Sequence, residues 1–502
     1  MNKKLLPILV AGVMITMTLM ATAAMAERYE AFGKPLDLYG YLTLNTSFHR
    51  GGDPYDTESG LQSALTTLLV EGKFHIADDL KLFASGLLAV DWVYDLKHDD
   101  RSWNDQLFSK SREKLYVDDE YWQLLKELHY TWTPGNFLFR VGKQIIKWGE
   151  TDGFRLMDQI NPSDGRRGMA DVEFETSIIP IWLIKAEYFP EIASGWLQDL
   201  GFEVFFNPNA DFIPNQNVAT GNDVGGIWAP NVKIPLGGPY PNDVMYVGSE
   251  TANIEEPDNW SEGREFGIRI KGIAFNSFIT LNYFNGLDNS PITRSVAGPA
   301  PTTASDGRMI FHPGSEGFYP RMRFAGATIS RDISPLKAAF LGNVSPVLRL
   351  ESFYGFDNTF KNSLNSFEKF DEIRWAMGLD WKVKIPVLNP RTYFTVSPQF
   401  YHRKVVDYPT NYSLSGVQED NYMTTLMLTT SYFHNKLTPV FFWMHDVDNH
   451  ADMYKLELKY QYSHEWNCAV GALLLDGQEP GKGFHVFENK DYMYFRISYR
   501  WG

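Results

Sequence analysis

The chain has 502 residues, of which 44% are hydrophobic and 15% aromatic, with 35 Phe, 26 Tyr and 14 Trp. Beyond residue 26 there is no run of about 20 apolar residues, which excludes a helical membrane protein, and so many rings exclude a disordered chain. A formal net charge of −15 argues against a nucleic-acid partner, and the lone Cys468 excludes an internal disulfide, a CxxC zinc site and a CxxCH haem attachment.

The first element is a leader. Met1 to Lys4 is a short basic stretch, Leu5 to Met20 an apolar core, and Ala24-Met25-Ala26 a small-x-small cleavage site. That is the pattern of a secretory signal peptide. Residues 1–26 are therefore expected to be removed, leaving 27–502 as one exported domain.

Eighteen strands are expected after it, beginning near residues 36, 61, 80, 125, 137, 180, 198, 264, 278, 320, 345, 372, 391, 421, 437, 452, 467 and 490. Several alternate as a strand with one apolar and one wet face must. Phe266, Ile268 and Ile270 alternate with Glu265, Arg269 and Lys271. Ile373, Trp375, Met377, Leu379, Trp381 and Val383 oppose Arg374, Asp380 and Lys382. Met493, Phe495, Ile497, Tyr499 and Trp501 oppose Tyr494, Arg496, Ser498 and Arg500.

Strands of a soluble sandwich alternate too; the connections separate the two cases. Those after even-numbered strands are mostly short, such as Ala77 to Asp79, Pro134 to Asn136 and His434 to Lys436. Those after odd-numbered strands are mostly long: 95–124, 149–179, 208–263, 287–319, 356–371, 403–420 and 477–489. The exceptions are 332–344, long for a turn, and 448–451, short for a loop. Long loops on one side and short turns on the other are the plan of a membrane barrel. Such a sheet must close, because lipid satisfies no backbone polar group. The expected fold is all-β: a transmembrane antiparallel up-and-down β-barrel of about 18 strands (16–18) in the cell outer membrane. Tyr130, Trp132, Trp182, Tyr188, Tyr499 and Trp501 fall near strand ends, where interfacial rings are favoured.

One block is distinctive. Arg140-Val-Gly-Lys-Gln-Ile-Ile-Lys-Trp-Gly149, then Thr151-Asp-Gly-Phe-Arg-Leu-Met-Asp-Gln-Ile-Asn-Pro162 and Ile179-Pro-Ile-Trp182, is similar to the hallmark of a family of proteobacterial outer-membrane proteins, domain of unknown function 1302. Asp199 to Pro208 and Glu265 to Ile270 are weaker echoes. Asp164-Gly-Arg-Arg-Gly168 departs from the bulkier, less glycine-rich stretch of many relatives. The resemblance implies a signal peptide and a barrel over nearly the whole chain. It also implies transport or export, with a resistance-nodulation-type pump and a periplasmic carrier as partners. It identifies no substrate.

No nucleophile elbow, HExxH, Walker A or dinucleotide glycine pattern is present. His445 to Asp452 has ligand types for a divalent cation, but a solvated hairpin tip is the plainer expectation. No enzyme activity, cofactor or metal is therefore expected. Function is expected in 149–179, since a connection this long is functional when ordered and charged side chains at a constriction select solutes. Arg140, Gln144, Trp148, Arg155, Asp158, Asn161, Arg166 and Arg167 are the candidates to line such a constriction, an outward-facing loop being the alternative. Alternation assigns Arg269, Arg321, Arg323, Arg349, Arg374, Lys455 and Arg496, among others, to the lumen, where bases outnumber acids.

The expected function is a porin-like channel for a small or amphipathic solute. The alternatives are an export conduit partnered with a pump and a periplasmic carrier, or the barrel sheath of a porin-cytochrome conduit. Expected partners are outer-membrane lipid and lipopolysaccharide, the barrel-assembly machinery and periplasmic export proteins, with no nucleic acid.

Overall fold

The computed structural model describes residues 28–49, 60–92, 96, 124–151, 155–163, 177–192, 195–208, 233–237, 240–247, 251–303, 309–337, 342–479, 482–487 and 490–502. The expected leader lies outside the described residues, as do Arg166 and Arg167. The first six wall strands are β1 (Lys34–His49), β2 (Gly60–His75), β3 (Leu80–Asp91), β4 (Leu125–Trp132), β5 (Phe137–Gln144) and β6 (Ile181–Tyr188). Then come β7 (Leu197–Asn207), β8 (Glu265–Ala274), β9 (Ser277–Leu287), β10 (Arg321–Asp332), β11 (Val347–Lys361) and β12 (Phe367–Val383). The wall ends with β13 (Phe394–Val405), β14 (Asp420–Thr429), β15 (Leu437–Asp446), β16 (Ala451–Gln461), β17 (Trp466–Gly477) and β18 (Tyr492–Trp501).

Each strand pairs antiparallel with the next, and β18 returns to β1 with Gly40 opposite Trp501 and His49 opposite Tyr492. The sheet is a closed, 18-stranded up-and-down barrel. Closure leaves no open edge, which is the condition for crossing lipid with strands. The outer face is apolar, with Ile184, Val204, Ile268, Leu281, Ile373, Met377, Leu456, Leu458 and Phe495 exposed. The inner face carries buried polar groups such as Asn45, Lys185, Glu203, Arg269, Glu351, Glu372, Glu457 and Arg496. Without that division the apolar face would meet water, or the charges would meet lipid.

At the short-turn end, Phe275 and Asn276 both adopt positive φ (54° and 59°) between β8 and β9. Two such residues form the tight hairpin turn whose twist matches the strands it joins. Rings crowd this end: Phe137 stacks on Tyr188 at 4.7 Å and Trp196 on Phe275 at 5.5 Å, and Trp466 meets Tyr499 at a tilt at 4.9 Å. At the seam a Cβ on Gly40 would come within 2.2 Å of the Trp501 ring, so glycine there lets the last aromatic residue lie on β1.

One connection differs from the sequence reading. The expected loop 356–371 contracts to 362–366, because β11 and β12 continue as a hairpin beyond a bulge between Gly355 and Asn358. Polar groups pair across that hairpin, Asn358 donating to Glu372 at 2.6 Å and Asn362 to Ser366 at 2.7 Å. Phe360 and Phe370 pack together on this extension beside Asn358 and Asp371, so no clean period of two marks it in sequence. Elsewhere the loops 208–264 and 288–320 contribute short strands of their own, Thr251–Glu255 pairing with Gly314–Phe318 and that with Ile292–Val296.

A closed barrel resists detergent until heated. The extracted protein should give a β-dominated circular dichroism spectrum and migrate faster unboiled than boiled on a gel. A helix-dominated spectrum would overturn this architecture.

Candidate functional site

β5 is shaped at its end by Gly142, which has φ 133°. A Cβ there would lie 2.1 Å from the Leu128 carbonyl oxygen, so only glycine fits. Two residues later the fully buried Gln144 donates its amide to the Gly142 and Leu183 carbonyls at 3.3 and 3.2 Å. From there the chain leaves the wall and folds into the barrel.

The inward segment is held first by apolar contact. Ile146, Trp148, Leu156, Met157 and Ile160 form one buried cluster with Leu183, Phe205, Phe284, Met322, Phe324, Phe353 and Ala376 of β6, β7 and β9 to β12. Trp148 lies 5.7 Å from the Phe205 ring and meets Phe324 edge-on at 6.4 Å. Wall glycines make the room. A Cβ on Gly267 would come within 2.6 Å of Trp148, and one on Gly326 within 2.6 Å of the Met157 sulfur.

Polar braces fix its shape. Asp158 Oδ1 accepts the Trp148 and Gly149 amides at 2.6 and 2.9 Å. Asn161 accepts the Ile146 amide at 2.7 Å and donates to the Ile179 carbonyl at 3.0 Å. Arg155 donates to the Asn161 carbonyl at 2.6 Å. Burial lowers the Arg155 pKa, and the Asp158 carboxylate opposes that shift.

The wall supplies the remaining bonds. Glu203 accepts the Trp148 indole proton at 2.8 Å, and Glu351 Oε1 accepts the Thr151 amide and hydroxyl at 2.6 and 2.9 Å. Arg269 donates to the Lys147 carbonyl at 3.1 Å, Arg349 to the Glu150 carbonyl, and Asn289 to the Gln159 carbonyl at 2.8 Å. Burial raises the Glu150 carboxyl pKa, with Arg269 and Arg349 pulling it down.

Of the candidates from sequence, Gln144, Trp148, Arg155, Asp158 and Asn161 come together here. Arg140 stays on the wall, donating to Thr131 at 3.1 Å. Arg155, Asp158 and Asn161 brace the segment from within, while Gln144 and Trp148 bond to the wall. Sequence reasoning missed the partners across the lumen, Glu203, Glu351 and Asn289. The alternating polar face shows that the two glutamates point inward, but nothing in sequence says what each one meets.

Arg321 and Arg323 are corrected. They lie on the outer face, because Met322 and Phe324 take the inner one and join the cluster around Met157. The rule of apolar outside and polar inside reverses locally, since the inward segment gives this part of the lumen an apolar surface to meet. The His445 to Asp452 residues diverge: His445 bonds Asp452 at 3.0 Å, while Asp446 caps Asn449 and Asp448 accepts from Asn421. Among the described residues no group of three or more metal-ligand types forms.

The family model described as "Protein of unknown function (DUF1302)" matches residues 11–501. The chain belongs to this family. No functionally curated protein matches the sequence. The DUF1302 chain is similar in structure to OccK5 (OpdH) of Pseudomonas aeruginosa, with 10% identity, TM-score 0.44 and coverage of 93% of this chain and 97% of that one. It is also similar to the outer-membrane protein OpdK of the same organism, with 8% identity, TM-score 0.44 and coverage of 92% and 98%. An anion-selective porin from Comamonas acidovorans is similar at 9% identity and TM-score 0.36, over 93% of this chain and all (100%) of that one.

Proposed function

We propose that this DUF1302 barrel is an outer-membrane, porin-like channel that passes a small or amphipathic solute without chemistry, and that residues 145–151 and 155–163 narrow its lumen. The ordered inward segment carries this reading: a cluster with Trp148, Met157 and Ile160 at its centre holds backbone inside the barrel. Eighteen strands enclose a lumen wide enough for a water path. The long loops then face the exterior and the short turns the periplasm.

A second apolar cluster packs on the lumenal side of the wall. Met444, Met453, Leu473, Leu475, Tyr492 and Tyr494 are buried together, with Met423, Phe442, Phe484 and Phe487 packed against them. Methionines adapt their shape to varied apolar ligands. Lys455 lies over the Tyr494 ring at 5.9 Å, and Arg496 pairs with Glu457 at 3.0 Å, so cations adjoin this apolar surface.

Purified protein in a planar bilayer should give discrete conductance steps. A small anion preference should show at low salt and fade as screening shortens the field to about 10 Å near 0.1 M. Folded, heat-modifiable protein without conductance would overturn the channel. Clear cation preference would sink the reading of the lumen charges.

A further inference from the structure

The outer wall carries a basic pocket that solute passage does not use. Asn285, Arg321, Arg323, Asp357 and Lys369 line a cavity of about 300 Å³. By strand alternation these side chains lie on the lipid side, sharing a face with Tyr283, Tyr354 and Ile373. Those three form the apolar row next below, with Tyr354 and Ile373 exposed. The pocket therefore sits at the long-loop end of the apolar band, one strand step beyond its last ring.

The lining holds three cations and one carboxylate, and Asp371 and Asp407 act electrostatically on the neighbouring Tyr354. Arg323 pairs with Asp357. Asp371 is committed to the Tyr354 hydroxyl at 2.7 Å and the Asp357 amide at 2.9 Å. Arg321 donates to the Arg264 carbonyl at 2.7 Å, and the Arg264 guanidinium stands 5.9 Å from the Trp260 ring. Neither Arg321 nor Lys369 has an ion pair among the described residues. Glu265, which acts on Arg321 electrostatically, is buried and bound to Asn207 at 2.8 Å. Lys404, further around the wall, is by contrast matched by Glu419 and Asp420. An unmatched basic cavity directly above an apolar row has the chemistry of a lipid headgroup site, since guanidinium groups bind phosphate through paired N–H donors.

We propose that this pocket binds a phosphate of an anionic lipid in the outer leaflet, whose acyl chains lie along Tyr283, Tyr354 and Ile373. The inference rests on the outer-membrane reading above, though not on conductance. A soluble anion would need the cations but no apolar row beneath them.

The test uses the full-length protein in detergent, titrated with bisphosphorylated lipid A, with its dephosphorylated form and with inorganic phosphate, and read by native mass spectrometry. The R321Q/R323Q/K369Q variant should bind the phosphorylated lipid at least about ten-fold more weakly, as the loss of three interfacial cations predicts. Asp357→Asn should tighten binding about two- to five-fold by releasing Arg323, and asparagine tolerates the positive φ of 50° at that position. Equal binding by the triple variant overturns the site. Equal binding of the dephosphorylated lipid, or displacement of lipid A by millimolar inorganic phosphate, overturns the lipid-phosphate assignment. Gel migration before and after boiling shows whether each variant is folded, and the asparagine variant tests the site independently if the triple variant is not. Wild-type protein that retains lipid A but fails to conduct would remove the channel reading and leave this one standing.

Discussion

Replacing Leu156, Met157 and Ile160 together by serine should raise single-channel conductance several-fold while the barrel remains closed. All three side chains are buried in the cluster that seats the inward segment. Burying an aliphatic side chain of this size contributes about 1.5–3 kcal/mol, whereas a typical internal hydrogen bond contributes about 0.5–1.5 kcal/mol net. The apolar seat therefore weighs about as much as the bonds from Glu203, Glu351, Arg269, Arg349 and Asn289 that also hold the segment, and losing three of its side chains should loosen it. The same outcome can be reached from the wall. Gly326→Leu would drive a side chain into space held by Met157, whose sulfur lies 2.6 Å from the Cβ position. The triple serine change leaves strand pairing alone, so its unboiled band should persist on a gel. A Cβ at Gly326 also comes within 2.6 Å of the Ser352 carbonyl oxygen on β11, so that variant is read only where its unboiled band is retained. Unchanged conductance from a folded triple variant would mean that the segment does not limit the path.

Glu372→Gln should be the most damaging single substitution in the wall. Glu372 is fully buried, pairs with Arg374, and accepts from Arg403 Nε at 2.8 Å. Both guanidinium groups also lie over rings, Arg374 over Phe353 at 4.6 Å and Arg403 over Phe360 at 5.5 Å. Removing this acid leaves two cations in a poorly solvated site, with Asp288 as the nearby carboxyl group that still acts on both. Breaking a buried pair in this way costs about 3–5 kcal/mol. The temperature at which the fast-migrating band is lost should fall, and the reversal potential should move toward anions. A conserved melting temperature with an unmoved reversal potential would show that water reaches this site freely. Neither result depends on the seat of the inward segment.

Strand identity was legible because lipid enforces it. A residue facing hydrocarbon must be apolar and its neighbour facing the lumen can be polar, so the period of two is written into Phe266 to Lys271 and Met493 to Trp501. The observed strands begin within a few residues of the expected positions, for instance Leu80, Leu125, Phe137 and Leu437. The long connection after β5 was likewise legible as a segment apart, from its length and from the block Arg140 to Pro162.

What that connection does inside the barrel was decided by tertiary contact. Trp148 and Met157 reach Phe205, Phe324 and Gly326, residues far from them in sequence, and only the closed sheet brings these together. The same contact explains why Arg321 and Arg323 were misplaced. Alternation alone cannot tell an apolar side chain that meets lipid from one that meets a folded segment in the lumen. Met322 and Phe324 do the latter, which turns both arginines outward to the headgroup end of the wall. Sequence by itself determined where the chain crosses and where it turns, because the bilayer acts on each strand locally. Which face met a partner depended on a surface assembled from six strands of the wall, and no local pattern records it.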